Sequence, residues 1–304
     1  MRKELGEQFL IALAPYKEKR LIISGHGNTD VDSYVSMVML SNILNQLGFN
    51  SKPYLIYKRI DATTLYYLDS MKIPPIVDDN ICDDDYVILV DHNAPIESFG
   101  RNFYYTNKII GVIDHHTNVG LLYPANAIEK CGSTASLIYE MFSELIDLES
   151  FKSIVLKTLL IDTIGLLSEK ASDDDRRFAE KLSAETDLDF EILKKWSVTQ
   201  TELHLSPEEI LKNGFKTHDF KRAEITSSYI ESFFETKDDR EKLTEVLSYL
   251  SKHTSNHVLI VKDLTKIETA VYGIIFGRHV TLNYKGLKSR NNIIKILFDI
   301  REKA

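Results

Sequence analysis

The stretch IIGVIDHHTNVG, Ile109–Gly120, runs a mostly apolar strand pattern directly into Asp114, His115 and His116. A solvent-facing turn after a buried strand accounts for one titratable side chain, not for three in succession. Two upstream runs behave in the same way. RLIIS (20–24) breaks at Gly25 into GHGNTDVDS, which carries His26, Asp30 and Asp32, and YVILV (86–90) runs into Asp91 and His92. Continuous apolar runs of this length read as strands buried on both faces. They alternate with helical patterns up to residue 187, which predicts an α/β fold whose N-terminal part is a mainly parallel sheet with helices on both faces. In such a sheet the carboxyl ends of the strands line one edge, where ligands bind. The three clusters are therefore expected to meet.

KPYLIY (52–57) supplies a further strand. Helices are expected over 32–48, over 133–147 with Ser133 or Thr134 as cap, over 151–162 and over 174–187. The texture changes after AETDLDF. WSVTQTELHLSPEEILKNG lacks a strong period and contains Pro207, so the expected organisation is an N-terminal domain over 1–187, a linker over 188–206 and a smaller α/β domain with a mixed sheet over 207–304. Within the latter, FKRAEITSS, HVLIVKD and TAVYGIIF read as strands, 230–252 as a long helix and RNNIIKILFDI as a closing helix.

A net charge of -8 provides no general basic surface, so long nucleic acid is disfavoured and a phosphate-bearing substrate must be held by a few placed cations or by metal. Cys82 and Cys131 are too few for a disulfide framework, which fits a reducing cytoplasm. The N-terminal residues carry Glu4 and Glu7 within a short apolar stretch and read as an amphipathic helix rather than a secretion signal. No apolar run approaches the roughly 18 residues that a membrane helix needs.

Each cluster has an ordinary structural reading. Asp30, Asp32 and Ser33 can cap the following helix, Asp91 with Asn93 can make a turn, and paired histidines can sit in a loop. Three coincidences at equivalent strand ends favour a chemical reading. Mixed carboxylate and imidazole donors without thiolate suit Mn²⁺, Co²⁺, Fe²⁺ or Zn²⁺, and several aspartates leave room for two ions. A two-metal site activates water and stabilises the attacking and leaving oxygens of an in-line phosphoryl displacement.

The ordered blocks H-x-N-x-D-x-D (His26, Asn28, Asp30, Asp32), V-D-H-N (Val90–Asn93), D-H-H (Asp114–His116) and the aspartate of LLIDTIG (Asp162) resemble the DHH phosphoesterase superfamily. CGSTAS, before a helix, resembles that superfamily's glycine-threonine segment. The chain has no two adjacent glycines, unlike the RecJ-like branch with its glycine-rich terminal motif. KSRNNIIKIL instead resembles the S-R-K-K-Q motif of manganese-dependent family II inorganic pyrophosphatases, and NGFKTHDF resembles the segment that supplies their substrate lysine. DVDSYVS is closer to the exopolyphosphatase and prune-like members.

The resemblance implies two Mn²⁺ ions, with Co²⁺ or Mg²⁺ as substitutes, held by His26, Asp30, Asp32, Asp91, His115 and Asp162. Asp32 and Asp91 would contact both ions, His116 and Asp91 would be catalytic, and Asp114 would orient a histidine from behind. His116, Lys216, Ser289 and Arg290 would bind substrate. Asn291, Asn292 and Ile293 stand where the motif has two lysines and a glutamine. Each missing cation removes phosphate contacts worth roughly 1.5 to 3 kcal/mol when desolvated. The implied activity is hydrolysis of phosphoanhydride bonds in pyrophosphate or short polyphosphate. A phosphodiesterase or phosphatase for small nucleotides is the alternative, and a non-catalytic prune-like regulator is disfavoured by the complete ligand set. The partner is then a small phosphate compound, with neither membrane nor long nucleic acid, and a homodimer is left open.

Overall fold

β-branched and leucine-rich runs build the centre of the N-terminal sheet, and their neighbours follow from local capping. The computed structural model describes residues 2–56, 60–77, 81–99, 107–198, 205–212, 215–220, 223–234 and 236–302. In chain order the first part forms α1 (Arg2–Leu13), β1 (Arg20–Ser24), α2 (Val31–Gln46), β2 (Asn50–Tyr54), α3 (Ala62–Ser70), β3 (Tyr86–Val90), α4 (Pro95–Phe99), β4 (Ile109–Asp114), β5 (Ala125–Ile128), α5 (Thr134–Phe142), α6 (Lys152–Asp162), α7 (Asp173–Thr186) and α8 (Phe190–Trp196). The sheet order is β2-β1-β3-β4-β5, with every pairing parallel. Ile22, Val87, Leu89, Ile109 and Val112 cluster together, and the alternate residues Ile23, Ile88, Val90 and Ile113 are buried as well. Both faces of the central strands are thus covered, as continuous apolar runs require. Each such side chain contributes roughly 1.5 to 3 kcal/mol on full burial.

Two glycines allow close approaches that set the strand-end loops. A Cβ at Gly25 would lie 2.1 Å from Ser33 Oγ, so only glycine lets the turn after β1 sit against the first turn of α2. A Cβ at Gly132 would lie 2.4 Å from Leu159 Cδ1, and Gly132 N donates to Asp175 Oδ1 at 2.8 Å. Asp175 also completes the capping box of α7 with Ser172.

The later part forms α9 (Pro207–Lys212), β6 (Lys216–Phe220), β7 (Ala223–Ser232), α10 (Lys237–His253), β8 (His257–Asp263), β9 (Glu268–Ile275), β10 (Arg278–Lys285) and α11 (Arg290–Glu302). Its sheet has the order β10-β9-β8-β7-β6 and is mixed, with β7 and β8 parallel and the other pairs antiparallel. Val258 and Ile260 of β8 pack with Ile293, Ile294, Leu297 and Phe298 of α11. The alternate residues Leu259 and Val261 pack with Val246 and Leu250 of α10. The two helices therefore cover opposite faces. Contacts divide the chain into two compact units, Met1–Ile60 with Thr64–Thr163 and Lys170–Leu193, and Asp61–Thr63 with Ile164–Glu169 and Lys194–Ala304.

Several elements differ from the sequence expectation. The helix expected from 230 starts at Lys237, because β7 continues to Ser232 in register with Asp263 of β8, and the Thr236–Asp239 capping box marks the true start. The helix expected over 133–147 ends at Phe142. β2 is Asn50–Tyr54, and Tyr57 of the expected strand lies outside the described residues. Lys221 and Arg222 of the expected FKRAEITSS strand lie outside them too. So do residues 199–204 of the expected linker, whose earlier part contains α8. Asn213 and Gly214 of NGFKTHDF are likewise outside.

Candidate metal centre

β1, β3 and β4 are neighbours, so the residues that follow them emerge at one sheet edge. Asp30 is the N-cap of α2 and accepts from Ser33 N at 3.0 Å through Oδ1. Its other oxygen lies 3.5 Å from His26 Nε2, so capping and the cluster use different atoms of one carboxylate. Asp91 sits just beyond β3 with φ 62, a left-handed backbone that costs a non-glycine residue about 1 to 3 kcal/mol. Its N–H donates to the Ile113 carbonyl of the neighbouring strand at 3.1 Å, which fixes that turn.

Asp91 is the hub. Oδ2 lies 3.2 Å from His26 Nε2, and Oδ1 lies 3.4 Å from His115 Nε2 and 3.8 Å from His116 Nδ1. Thr134 Oγ1 also donates to Oδ1 at 3.1 Å. Asp32, from the first turn of α2, accepts from Thr134 N at 2.7 Å and Ala135 N at 2.9 Å, the open N–H groups that start α5. Ser133 caps that helix through Ser136 N. His115 Nε2 further lies 3.8 Å from Asp162 Oδ2 and 3.9 Å from Asp32 Oδ2.

Behind these groups stand orienting contacts. His115 Nδ1 faces the Cys131 carbonyl at 2.9 Å, which turns Nε2 toward the carboxylates. Asp114 is fully buried and accepts from His116 Nδ1 at 2.9 Å, His116 N at 3.1 Å and Asn93 Nδ2 at 2.5 Å. His92 Nδ1 faces the Val90 carbonyl at 2.9 Å and its Nε2 bonds Ser98 Oγ, while burial pushes the imidazole pKa down to about 4.

Charge is unbalanced at the cluster. Burial, reinforced by the Asp91 carboxylate, pushes Asp32 well above the ordinary carboxylate value. Burial acts the same way on Asp91, but hydrogen bonds from His115 and His26 outweigh it and hold Asp91 well below that value. His115 is desolvated, yet Asp91, Asp162 and Asp32 raise it to about 10. A cluster that draws protons onto its imidazoles has surplus negative charge, which a divalent cation would relieve.

The donor set fits such an ion. His26, Asp30 and Asp91 form one group, Asp32, His115 and Asp162 a second, and Asp91, His115 and His116 a third, with the donor atoms of each group within 4.8 Å of one another. These imidazole and carboxylate donors suit Mn²⁺ and its neighbours. The structure thus brings His26, Asp30, Asp32, Asp91, His115, His116 and Asp162 together.

Residues 20–163 match the DHH family, N-terminal domain. This part of the chain belongs to the DHH family. The DHH match covers all three strand ends, the start of α5 and Asp162. Among relatives, the chain is 28% identical over 270 residues to the manganese-dependent inorganic pyrophosphatase of Methanothrix thermoacetophila, covering 84% of each chain. It is 27% identical over 275 residues to the enzyme of the same name from Methanocaldococcus jannaschii, covering 80% of this chain and 83% of that one. A crystal structure from Methanococcus jannaschii, described as a family II inorganic pyrophosphatase, shares the fold with a TM-score of 0.68 at 22% identity, over 89% of this chain and 95% of that one. An exopolyphosphatase-related protein from Bacteroides fragilis does so with 0.54 at 12% identity, over 98% of this chain and 96% of that one.

Outside the DHH match lie the other expected substrate residues. Lys216 is exposed at the start of β6. Ser289 Oγ accepts from Asn292 N at 3.3 Å at the head of α11, and the Arg290 guanidinium stacks 4.6 Å from the Tyr229 ring centroid. Asn291 and Asn292 are exposed, whereas Ile293 is fully buried in the α11 core. Sequence reading missed Thr134, whose hydroxyl reaches Asp91, and Lys170, whose ammonium lies 3.2 Å from Asp162 Oδ2. CGSTAS pointed to the former segment; no pattern marked Lys170.

Proposed function

We propose that the protein is a metal-dependent hydrolase of phosphoanhydride bonds, acting on inorganic pyrophosphate or short polyphosphate with two Mn²⁺ ions that Co²⁺ or Mg²⁺ can replace. The observation that carries this reading is the position of Asp91, whose Oδ2 faces His26 in one candidate group while its Oδ1 faces His115 in another, so that a single carboxylate could serve two adjacent ions. The names and coverage of the archaeal relatives support it.

In this reading His26, Asp30, Asp32, Asp91, His115 and Asp162 hold the metal. When bound, the metal supplies a water of lowered pKa and draws charge from the phosphoryl oxygens. The chain's own residues do the rest. Asp114 accepts from His116 Nδ1, so the half-exposed His116 ring presents Nε2 to the leaving phosphate and carries its proton there. Thr134 Oγ1 and the α5 N–H groups fix Asp91 and Asp32 against rotation. Lys216, Ser289 and Arg290 take phosphate oxygens. The N-terminal domain over 1–187 is catalytic in this reading, and residues 207–304 bind substrate.

The exposed, neutral Asn291 and Asn292 favour a second reading, cleavage of a small nucleotide whose organic group needs less cationic surroundings. Among the described residues no helix is long and apolar enough to cross a membrane. The reading includes a cytoplasmic location. Phosphate release from pyrophosphate, tripolyphosphate and short dinucleotides, measured in Mn²⁺ beside the protein's metal content, tests both readings. Turnover that survived exhaustive chelation would reject the metal-dependent mechanism.

A further inference from the structure

The candidate metal centre carries a cation of its own. Lys170 Nζ lies 3.3 Å from Asp162 Oδ1 and 3.2 Å from Asp162 Oδ2, so one ammonium straddles both oxygens of a proposed ligand. The Lys170 side chain is 47% exposed and Asp162 only 17%, so the cation stands on the open side of a carboxylate that points inward to His115.

The backbone around this contact is constrained at both ends. Asp162 is the last residue of α6, and Ile164, Gly165 and Leu166 that follow all have left-handed backbones, with φ of 54, 61 and 64. Two of those three are not glycine, a conformation that persists only where the surroundings hold it. Two residues after Lys170, the Ser172–Asp175 capping box starts α7, and Asp175 is tied in turn to Gly132 N. Lys170 is therefore delivered to Asp162 from an anchored segment.

The charges then set up a competition. Asp30, Asp32, Asp91 and Asp162 supply four negative charges, which two divalent ions would neutralise without leaving any surplus for an anionic substrate. Lys170 adds the surplus. The same ammonium also opposes metal binding, because it and a divalent ion draw on the same Asp162 oxygens and repel each other.

We propose that Lys170 couples metal loading to substrate binding: its ammonium pairs with Asp162 until that carboxylate turns to metal, and then takes a phosphate oxygen of the substrate. This inference rests on the function proposed above. Coupling of this kind is reciprocal, so substrate must tighten the metal by the same factor by which metal tightens the substrate.

The test measures binding rather than turnover. Mn²⁺ affinity of the full-length protein is determined by titration with electron paramagnetic resonance, with and without imidodiphosphate, a pyrophosphate analogue with a P–N–P bridge. Lys170→Met is expected to bind Mn²⁺ alone about 3-fold more tightly, since a half-exposed pair is lost. The Mn²⁺-loaded variant is expected to bind imidodiphosphate at least about tenfold more weakly, from the loss of one charge-assisted contact. Lys170→Arg should restore imidodiphosphate binding to within about 3-fold of wild type. Unchanged or weaker Mn²⁺ binding by Lys170→Met overturns the inference, as does unchanged imidodiphosphate affinity. A wild-type protein that binds no Mn²⁺ rejects the metal centre itself, and that failure is distinguishable because it appears before any variant is compared.

Discussion

His115 Nδ1 lies 2.9 Å from the carbonyl oxygen of Cys131, and this contact decides which ring nitrogen meets the carboxylates. A carbonyl only accepts, so Nδ1 carries a proton and Nε2 is turned to Asp91, Asp162 and Asp32. The result is a buried anionic cluster that folding alone leaves with too much negative charge. Mn²⁺ should therefore stabilise the folded protein, by about 2.7 kcal/mol when present at 100 times its dissociation constant. Thermal unfolding in EDTA and in Mn²⁺ measures this directly, and Asp91→Ala should abolish the difference because Asp91 belongs to two ligand groups.

Asp114 should matter through His116. Its Oδ1 accepts from the His116 ring and backbone, and its Oδ2 accepts from Asn93, whose own Oδ1 is occupied by Val119 N at 2.8 Å. In Asp114→Asn an NH₂ group must face either the Asn93 amide or the His116 donors. The expected loss is about 10- to 100-fold in kcat for pyrophosphate, as for other groups that orient a reacting histidine or ligand. Mn²⁺ affinity should change less than kcat; an equal loss in both would mean that Asp114 supports the metal rather than His116.

The strand-end clusters were legible because parallel sheets align their carboxyl ends, so apolar runs ending in Asp or His predict a meeting point without any distance information. Asp30 shows that the ordinary and the chemical readings were never exclusive: one oxygen caps α2 and the other faces His26. Lys170 was not legible, because its approach to Asp162 depends on three successive left-handed residues that no periodicity encodes. β10 was equally hidden: RHVTLNYK is half exposed along its length, so it lacks the apolar run that marked the central strands. Ile293 stands where the motif has a glutamine, and helical spacing puts it in the core.

Acid should destabilise the protein through His257. This residue is 2% exposed, with Nδ1 2.8 Å from Thr226 Oγ1, Nε2 2.7 Å from Ser228 Oγ and the ring stacked on Phe215. Burial lowers its pKa from 6.5 to about 4. Below pH 6.5 the unfolded chain takes up a proton that the folded chain refuses, so this contribution is complete above that pH and is lost as pH falls toward 4. The gap amounts to roughly 3 kcal/mol. Urea unfolding at pH 7 and pH 4.5 should show a steeper fall for wild type than for His257→Gln; parallel falls would assign the acid sensitivity elsewhere.

The head of α11 offers the sharpest test of substrate choice, because its altered positions Asn291 and Ile293 differ in environment. Asn291 is exposed, so Asn291→Lys should change stability by no more than about 0.5 kcal/mol. If the proposed pyrophosphate reading holds, the added cation should lower KM for pyrophosphate while leaving that for a dinucleotide substrate unchanged. Ile293 is fully buried among Ile225, Val258 and Ile260. Ile293→Gln would bury an amide there without a partner and should cost about 2 to 4 kcal/mol, with no gain in KM. Measured side by side, the two variants separate a lost phosphate contact from a residue given over to packing. Were Asn291→Lys to raise KM for pyrophosphate instead, the neutral first turn of α11 would have to serve a less charged substrate.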